Sequence, residues 1–184
     1  MTPDPVGFRL LLPGWIGLWA WKDREWSEAA PMPSVLVDLR GGSLSWDPLS
    51  NGLLVFGGAS LTGSFVEGSR IWQPPPINSW REASDPPQAS LRVGPSAALD
   101  PTVNRVLLFG GLYYEYVGPN LVRTFFNDTW LWNGANWIKQ TPAASPDARW
   151  KAMMATDEAR GQIVLFGGAD RNDGVLGDTW IWPR

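Results

Sequence analysis

Val55-Phe56-Gly57-Gly58, Leu108-Phe109-Gly110-Gly111 and Leu165-Phe166-Gly167-Gly168 are three copies of one phrase in a chain of 184 residues. Recurrence at roughly 50 residues marks an array of supersecondary units, each too small to bury its apolar face alone. The surroundings repeat as well. Asp47, Asp100 and Asp157 stand at one fixed distance before the three Phe. Arg92 and Arg149 stand at a second fixed distance before the last two of these Asp; the first copy has Leu39 there, and its Arg40 is one place off. Downstream, Asp128-Thr129-Trp130-Leu131-Trp132 returns as Asp178-Thr179-Trp180-Ile181-Trp182 and, thinned, as Ser69-Arg70-Ile71-Trp72. A further Trp, Trp80 or Trp137, follows. The N-terminus joins in, since Leu18-Trp19-Ala20-Trp21 with Trp26 copies the placing of Trp130, Trp132 and Trp137. Even Arg9-Leu10-Leu11-Leu12-Pro13-Gly14 reads as a worn copy of Arg105-Val106-Leu107-Leu108-Phe109-Gly110.

Each unit reads as four strands. The first lies around Ala97–Asp100 or Met153–Asp157 and turns through the recurrent Asp. The second, Val106–Phe109 or Ile163–Phe166, is a short apolar run bounded by Gly, the pattern of a strand buried on both faces. The third is Thr129–Trp132 and the fourth is centred on Trp137. Two-sided burial of antiparallel sheets implies sheets stacked face to face, and Trp130, Trp132, Trp180 and Trp182 are expected to be largely buried between them. The double Gly suits a strand end where φ turns positive or a neighbouring backbone comes close.

Paired glycines after an apolar strand, an Asp-Thr-Trp-x-Trp strand and a later Trp resemble kelch repeats, as in the propeller of the galactose-oxidase-like superfamily. The resemblance runs from about Arg9 to Trp182. It implies an all-β fold of kelch-type β-propeller blades, each a four-stranded antiparallel sheet. The chain divides into a partial leading blade at 9–33, blades at 34–87 and 88–146, and a trailing blade at 147–184 that lacks its fourth strand. That is about 3.5 blades in a single domain, against the six or seven usual in the family, so the expectation is an incomplete ring. A homodimer would complete it.

Composition narrows the function. Hydrophobic residues make up 44% of the chain, so it has the material for a core. The 15 basic residues are scattered and the net charge is −3, which leaves no cationic footprint for nucleic acid. Leu10–Trp21 has the length of a signal-peptide core and is too short for a membrane span; Asp4 in the preceding stretch and the match to the repeat assign it to the leading unit. No membrane association is expected. The copper site of the galactose-oxidase-like relatives is built from Tyr and His, with a Tyr cross-linked to Cys. This chain has neither His nor Cys, so those ligands, an imidazole base and a Ser-His-Asp triad are all missing, and no cofactor is expected.

Asp47, Asp100 and Asp157 are the recurrent carboxylates, but Asp also closes turns through its own backbone, and a residue found once per unit is read as structural. Asp128, Asp178, Arg92 and Arg149 receive the same reading. Asp170-Arg171-Asn172-Asp173-Gly174 faintly resembles a calcium loop, but its spacing is short and the distal Glu is missing; a hairpin tip is the simpler reading. The most informative departure from the repeat is the elongated loop from Leu112 to Asn127. It holds all three Tyr of the chain (Tyr113, Tyr114 and Tyr116) together with Arg123, Phe125 and Phe126. Such clusters on scaffold-borne loops serve interfaces and sugar sites, so Tyr113, Tyr114, Tyr116, Arg123 and Phe125 are the candidate binding residues. The function expected is a non-catalytic binding or scaffolding module for a protein or carbohydrate. A metal-free carbohydrate-active enzyme using Asp, Glu, Arg and Tyr is the rival, and a partial propeller without independent function is the third reading.

Overall fold

The computed structural model describes residues 10–13, 17–31, 40–60, 63–83, 85–86, 89 and 91–182. Arg9, Leu39 and Pro87, which enter the repeat reading, lie outside them. The leading sheet is β1 (Leu10–Pro13), β2 (Gly17–Lys22) and β3 (Glu25–Pro31). A four-stranded sheet follows: β4 (Ser43–Asp47), β5 (Gly52–Phe56), β6 (Ser69–Gln73) and β7 (Ser79–Glu82). The next four-stranded sheet holds β8 (Ser96–Asp100), β9 (Arg105–Phe109), β12 (Thr129–Trp132) and β13 (Trp137–Gln140). Between β9 and β12 stands a separate hairpin, β10 (Leu112–Val117) and β11 (Asn120–Phe125). The trailing sheet is β14 (Met153–Asp157), β15 (Gln162–Phe166) and β16 (Thr179–Trp182). All pairings are antiparallel, and the described residues include no helix. The architecture is all-β, built of small antiparallel sheets and compatible with a propeller-like arrangement.

The recurrent Asp makes the first turn of each unit. Asp47 accepts from the N–H of Leu49 and Ser50 at 3.1 and 3.2 Å. Asp100 accepts from the N–H of Thr102 at 2.9 Å, and Asp157 from that of Arg160 at 3.1 Å. Each turn ends on a left-handed residue, Asn51, Asn104 or Gly161, types that tolerate positive φ. Asp47 is fully buried and also accepts from Trp132 Nε1 of the following sheet at 2.9 Å, so the turn doubles as a tie between neighbours.

Alternation along the second strand decides which residue faces which neighbour. On β5, Leu53 and Val55 face back onto Leu18, Ala20 and Ala30 of the leading sheet. Leu54 and Phe56 face forward onto Trp130, Trp132 and Trp137. Leu107 continues the series against Ile163, Met154 and Trp182. Trp130 and Trp132 are buried as expected. Trp180 and Trp182 are only half-buried: they face back toward the preceding sheet, where Trp182 meets Leu107, but among the described residues no fourth strand lies beside β16.

The double glycines hold successive sheets together. The Gly58 N–H donates to the carbonyl of Arg92 at 2.8 Å, and the Gly111 N–H to that of Arg149 at 2.9 Å. The glycine before each is pressed against the same oxygen: a Cβ at Gly57 or Gly110 would lie 2.5 Å from it. The Arg side chains turn the other way. Arg92 donates to Asp128 at 2.7 Å and to the Gly110 carbonyl at 2.9 Å; Arg149 donates to Asp178 at 2.6 Å and to the Gly167 carbonyl at 3.1 Å. Backbone bonds add a parallel link, Gly94 N–H to Gly41 at 2.6 Å and Lys151 N–H to Gly94 at 2.7 Å.

In the first four-stranded sheet Ser69 stands where the others have Thr, and Gly68 where they have Asp. Ser69 donates to Asp85 at 2.9 Å and accepts from Trp137 Nε1 at 2.9 Å. Burial pushes the Asp85 carboxyl up to about 6, against the opposing pull of the Ser69 hydrogen bond and Arg70. Asp178 goes the other way, to about 2, chiefly through its hydrogen bond from Arg149.

Two predictions follow from these contacts. Gly110→Ala is expected to cost more than about 2 kcal/mol in urea denaturation, since left-handed φ alone costs an L-residue roughly 1–2 kcal/mol and the Cβ also meets a fixed carbonyl. Gly118→Ala, also at positive φ but with nothing within 4 Å, should lose only the conformational part; equal losses would contradict the latch. Asp85 binds more protons folded than unfolded between pH 4 and 6, so its contribution falls as pH rises through that window and is constant above it. Asp178 acts below pH 4 in the opposite sense. Relative to Asp85→Asn, the wild-type melting temperature should therefore drop between pH 4 and 6; parallel curves would remove Asp85 as the cause.

Candidate ligand-binding face

The segment from Leu112 is a β-hairpin with a short tail to Asn127, a correction to its reading as a loop. Its strands pair from Leu112↔Phe125 to Val117↔Asn120, leaving Gly118-Pro119 as a two-residue turn. Gly118 has φ +62 and Pro119 is fixed at negative φ, the combination of a type II′ turn, which suits the twist of a hairpin. Alternation puts Leu112, Tyr114, Tyr116, Leu121, Arg123 and Phe125 on one side.

The root of this hairpin is held by both neighbouring units. Leu112, Tyr114 and Phe125 pack with Ala59 and Phe65 from the preceding unit and with Trp150 from the following one. The Phe65 ring lies 4.8 Å from that of Tyr114 and 5.1 Å from that of Tyr113. The Tyr113 hydroxyl reaches Glu115 at 3.3 Å, and partial desolvation together with that carboxylate pushes its pKa up. Arg123 pairs with Asp173 at 2.9 Å and lies 5.4 Å from the centroid of the Phe125 ring. Tyr116 is 72% exposed, and Val117, Leu121 and Val122 beside it are exposed too. Of the five predicted residues, then, Tyr113, Tyr114 and Phe125 are half-buried at the root, whereas Tyr116 and Arg123 are presented to solvent.

Two hollows flank the hairpin. One, of about 400 Å³, is lined by Arg40, Ser60, Tyr114, Trp150 and Lys151, with Gly41 and Gly94 in its wall. Among the described residues no carboxylate lines it, and the Lys151 ammonium lies 4.0 Å from the Trp150 ring centroid. The other, of about 800 Å³, lies between Arg123, Phe125 and Asn127 on one side and Asp147, Asp170 and Arg171 on the other. The 142–146 segment sits beside it, Ser145 donating to the Asn127 carbonyl at 2.9 Å. In the stretch with the faint calcium-loop pattern, Asp170 accepts from the N–H of Asn172 and Gly174, both at 2.8 Å, and Asp173 receives Arg123. That stretch is a self-bonded turn.

The buried acids Asp47 and Asp100 are not part of this face. They close the far ends of β4 and β8, whose near ends follow Gly41 and Gly94, so a strand's length separates them from the hollow. Arg40, Trp150 and Lys151 went unmarked as site residues in the sequence. Arg40 bridges to Ala59 as Val93 does to Leu112 and Trp150 to Ala169, so its one-place offset from the other arginines is real. The offset takes Arg40 out of the buried ion-pair position and lines the hollow with it. That offset was the available signal.

No protein-family model matches the chain, and neither does any curated protein. Among solved structures the chain is similar to that of YjhT, with 15% identity and a TM-score of 0.70 over 88% of this chain and 48% of that one. The likeness is one of fold. The chain spans about half the length of that structure.

Proposed function

We propose that the chain consists of kelch-type propeller blades and serves as a binding module, gripping a protein partner with the Leu112–Phe125 hairpin. The blade reading rests on the repeat phrases, on the stacked four-stranded sheets and on the likeness in fold to YjhT. One observation carries the binding reading: the hairpin is anchored at its root by rings from both neighbours, yet offers Tyr116, Val117, Leu121 and Val122 to solvent at its tip. A rigidly held aromatic and aliphatic tip beside an Arg is the composition of an interface anchor, and it would be a liability if nothing covered it.

A carbohydrate is the second reading, favoured by the smaller hollow, where Tyr114 and Trp150 offer ring faces and Ser60, Arg40 and Lys151 offer hydrogen-bond donors. Hydrolytic chemistry by paired carboxylates has less support, since the buried recurrent acids lie at the other end of the strands and are engaged in turns. A photo-crosslinking residue in place of Tyr116 should capture a discrete partner in extract from the source cells, and one in place of the exposed Val103 on the distant β8–β9 turn should not. Equal labelling at both positions, together with no binding on a glycan array, would remove this function.

A further inference from the structure

The sheet-to-sheet interface repeats along the chain, and among the described residues both of its halves recur, partly exposed, at the two ends of the stack. Inside the stack, the forward face of β5 and β6 carries Leu54, Phe56 and Ile71, and these pack on Trp130, Trp132 and Trp137 of the next sheet. The trailing sheet presents the same forward set as Val164, Phe166 and Ile181, joined by Met153 and Ala155 through the pairings Met153↔Phe166 and Ala155↔Val164. Phe166 is 50% exposed where Phe56 and Phe109 are 2% and 3%, and Met153 is 75% exposed. The leading sheet presents the other half. Leu18 and Ala20 are buried against β5, so alternation turns Trp19 and Trp21 outward, together with Trp26, which pairs with Trp21.

The outward Trp pair is already set in the geometry of the inner one. Trp21 and Trp26 have ring centroids 5.3 Å apart at 53°, and Trp132 and Trp137 have theirs 5.2 Å apart at 61°. In the inner interface that pair receives Phe56, whose ring lies 5.3 Å from that of Trp137. The open trailing face thus matches in composition and register the face that the Trp pair receives. The two ends are complementary to each other and not to themselves, so joining them makes a head-to-tail contact.

We propose that the trailing sheet of one copy packs on the leading sheet of a second copy, Phe166 against Trp26, and that two copies do this reciprocally to form a discrete dimer. The contact itself continues the inner interface; its reciprocal closure rests on the propeller reading above. It is independent of the hairpin tip, which lies on another surface, so the loss of either proposal leaves the other standing.

Sedimentation velocity on the full chain at micromolar concentrations should give twice the 20.3 kDa chain mass. Phe166→Asp with Ile181→Asp, or Trp19→Asp with Trp26→Asp, should each weaken the dimer by at least about tenfold, because every junction uses one face of each kind. Val103→Asp, a turn position outside both faces, should leave it intact. An equimolar mixture of the two face variants restores one wild-type junction and should recover dimer that neither variant forms alone. Circular dichroism and melting of each variant establish that it is folded; if a double variant unfolds, Phe166→Ser and Trp26→Ser replace it in the same mixing experiment. A monomer, open-ended polymerisation, a dimer insensitive to both face variants, or a mixture that stays monomeric would overturn the proposal.

Discussion

A carbonyl oxygen seated against two glycines is the contact on which this stack depends. The oxygens of Arg92 and Arg149 each take an N–H from the second glycine of the preceding unit and lie where the first glycine would carry a Cβ. One backbone hydrogen bond contributes only about 1 kcal/mol net, so the latch matters for position more than for energy. It fixes the distance between successive sheets, and apolar burial then follows from the alternation on β5 and β9. The Arg–Asp pairs fit the same logic. A buried ion pair such as Arg92–Asp128 is close to neutral against an apolar substitute, but losing one partner costs about 3–5 kcal/mol; at Arg149 the Asp178 side chain is partly exposed and the cost is smaller. Arg92 and Arg149 therefore hold the chain in one conformation, with guanidinium turned into their own unit and carbonyl turned toward the neighbour.

That constraint explains why the fold was legible in the sequence. The Gly-Gly phrase, the spaced Arg and the opening Asp are the parts of one latch, so they recur together, and the recurrent Asp before β5, β9 and β15 closes its turn as its chemistry predicts. The Trp residues were legible in kind but not in degree. Trp132 is buried because a preceding sheet and a fourth strand cover it, whereas Trp182, in the same local sequence, has the preceding sheet but among the described residues no fourth strand. Burial belongs to the neighbour, and a motif does not record its neighbour.

The site was legible only in part, for a different reason. Concentration of Tyr and Arg pointed to the segment after Leu112, but its form as a hairpin follows from the register across Gly118-Pro119, and the irregular aromatic pattern hid that alternation. Which Tyr would be free was undecidable from sequence, because Phe65, more than forty residues upstream, covers Tyr113 and Tyr114 and leaves Tyr116 out. Arg40 and Lys151 come together only because backbone links at Gly41 and Gly94 bring equivalent positions of three units side by side. The recurrent scaffold thus places non-recurrent side chains on one face, where binding residues are free to vary without disturbing the latch.

Amide hydrogen exchange resolved at the glycines tests the central claim most directly. If the Arg carbonyls hold the stack, the N–H groups of Gly58 and Gly111, which belong to no strand, should exchange as slowly as the amides inside β5 and β9. Exchange of both at the rate of the exposed turn glycine Gly118 would contradict the account.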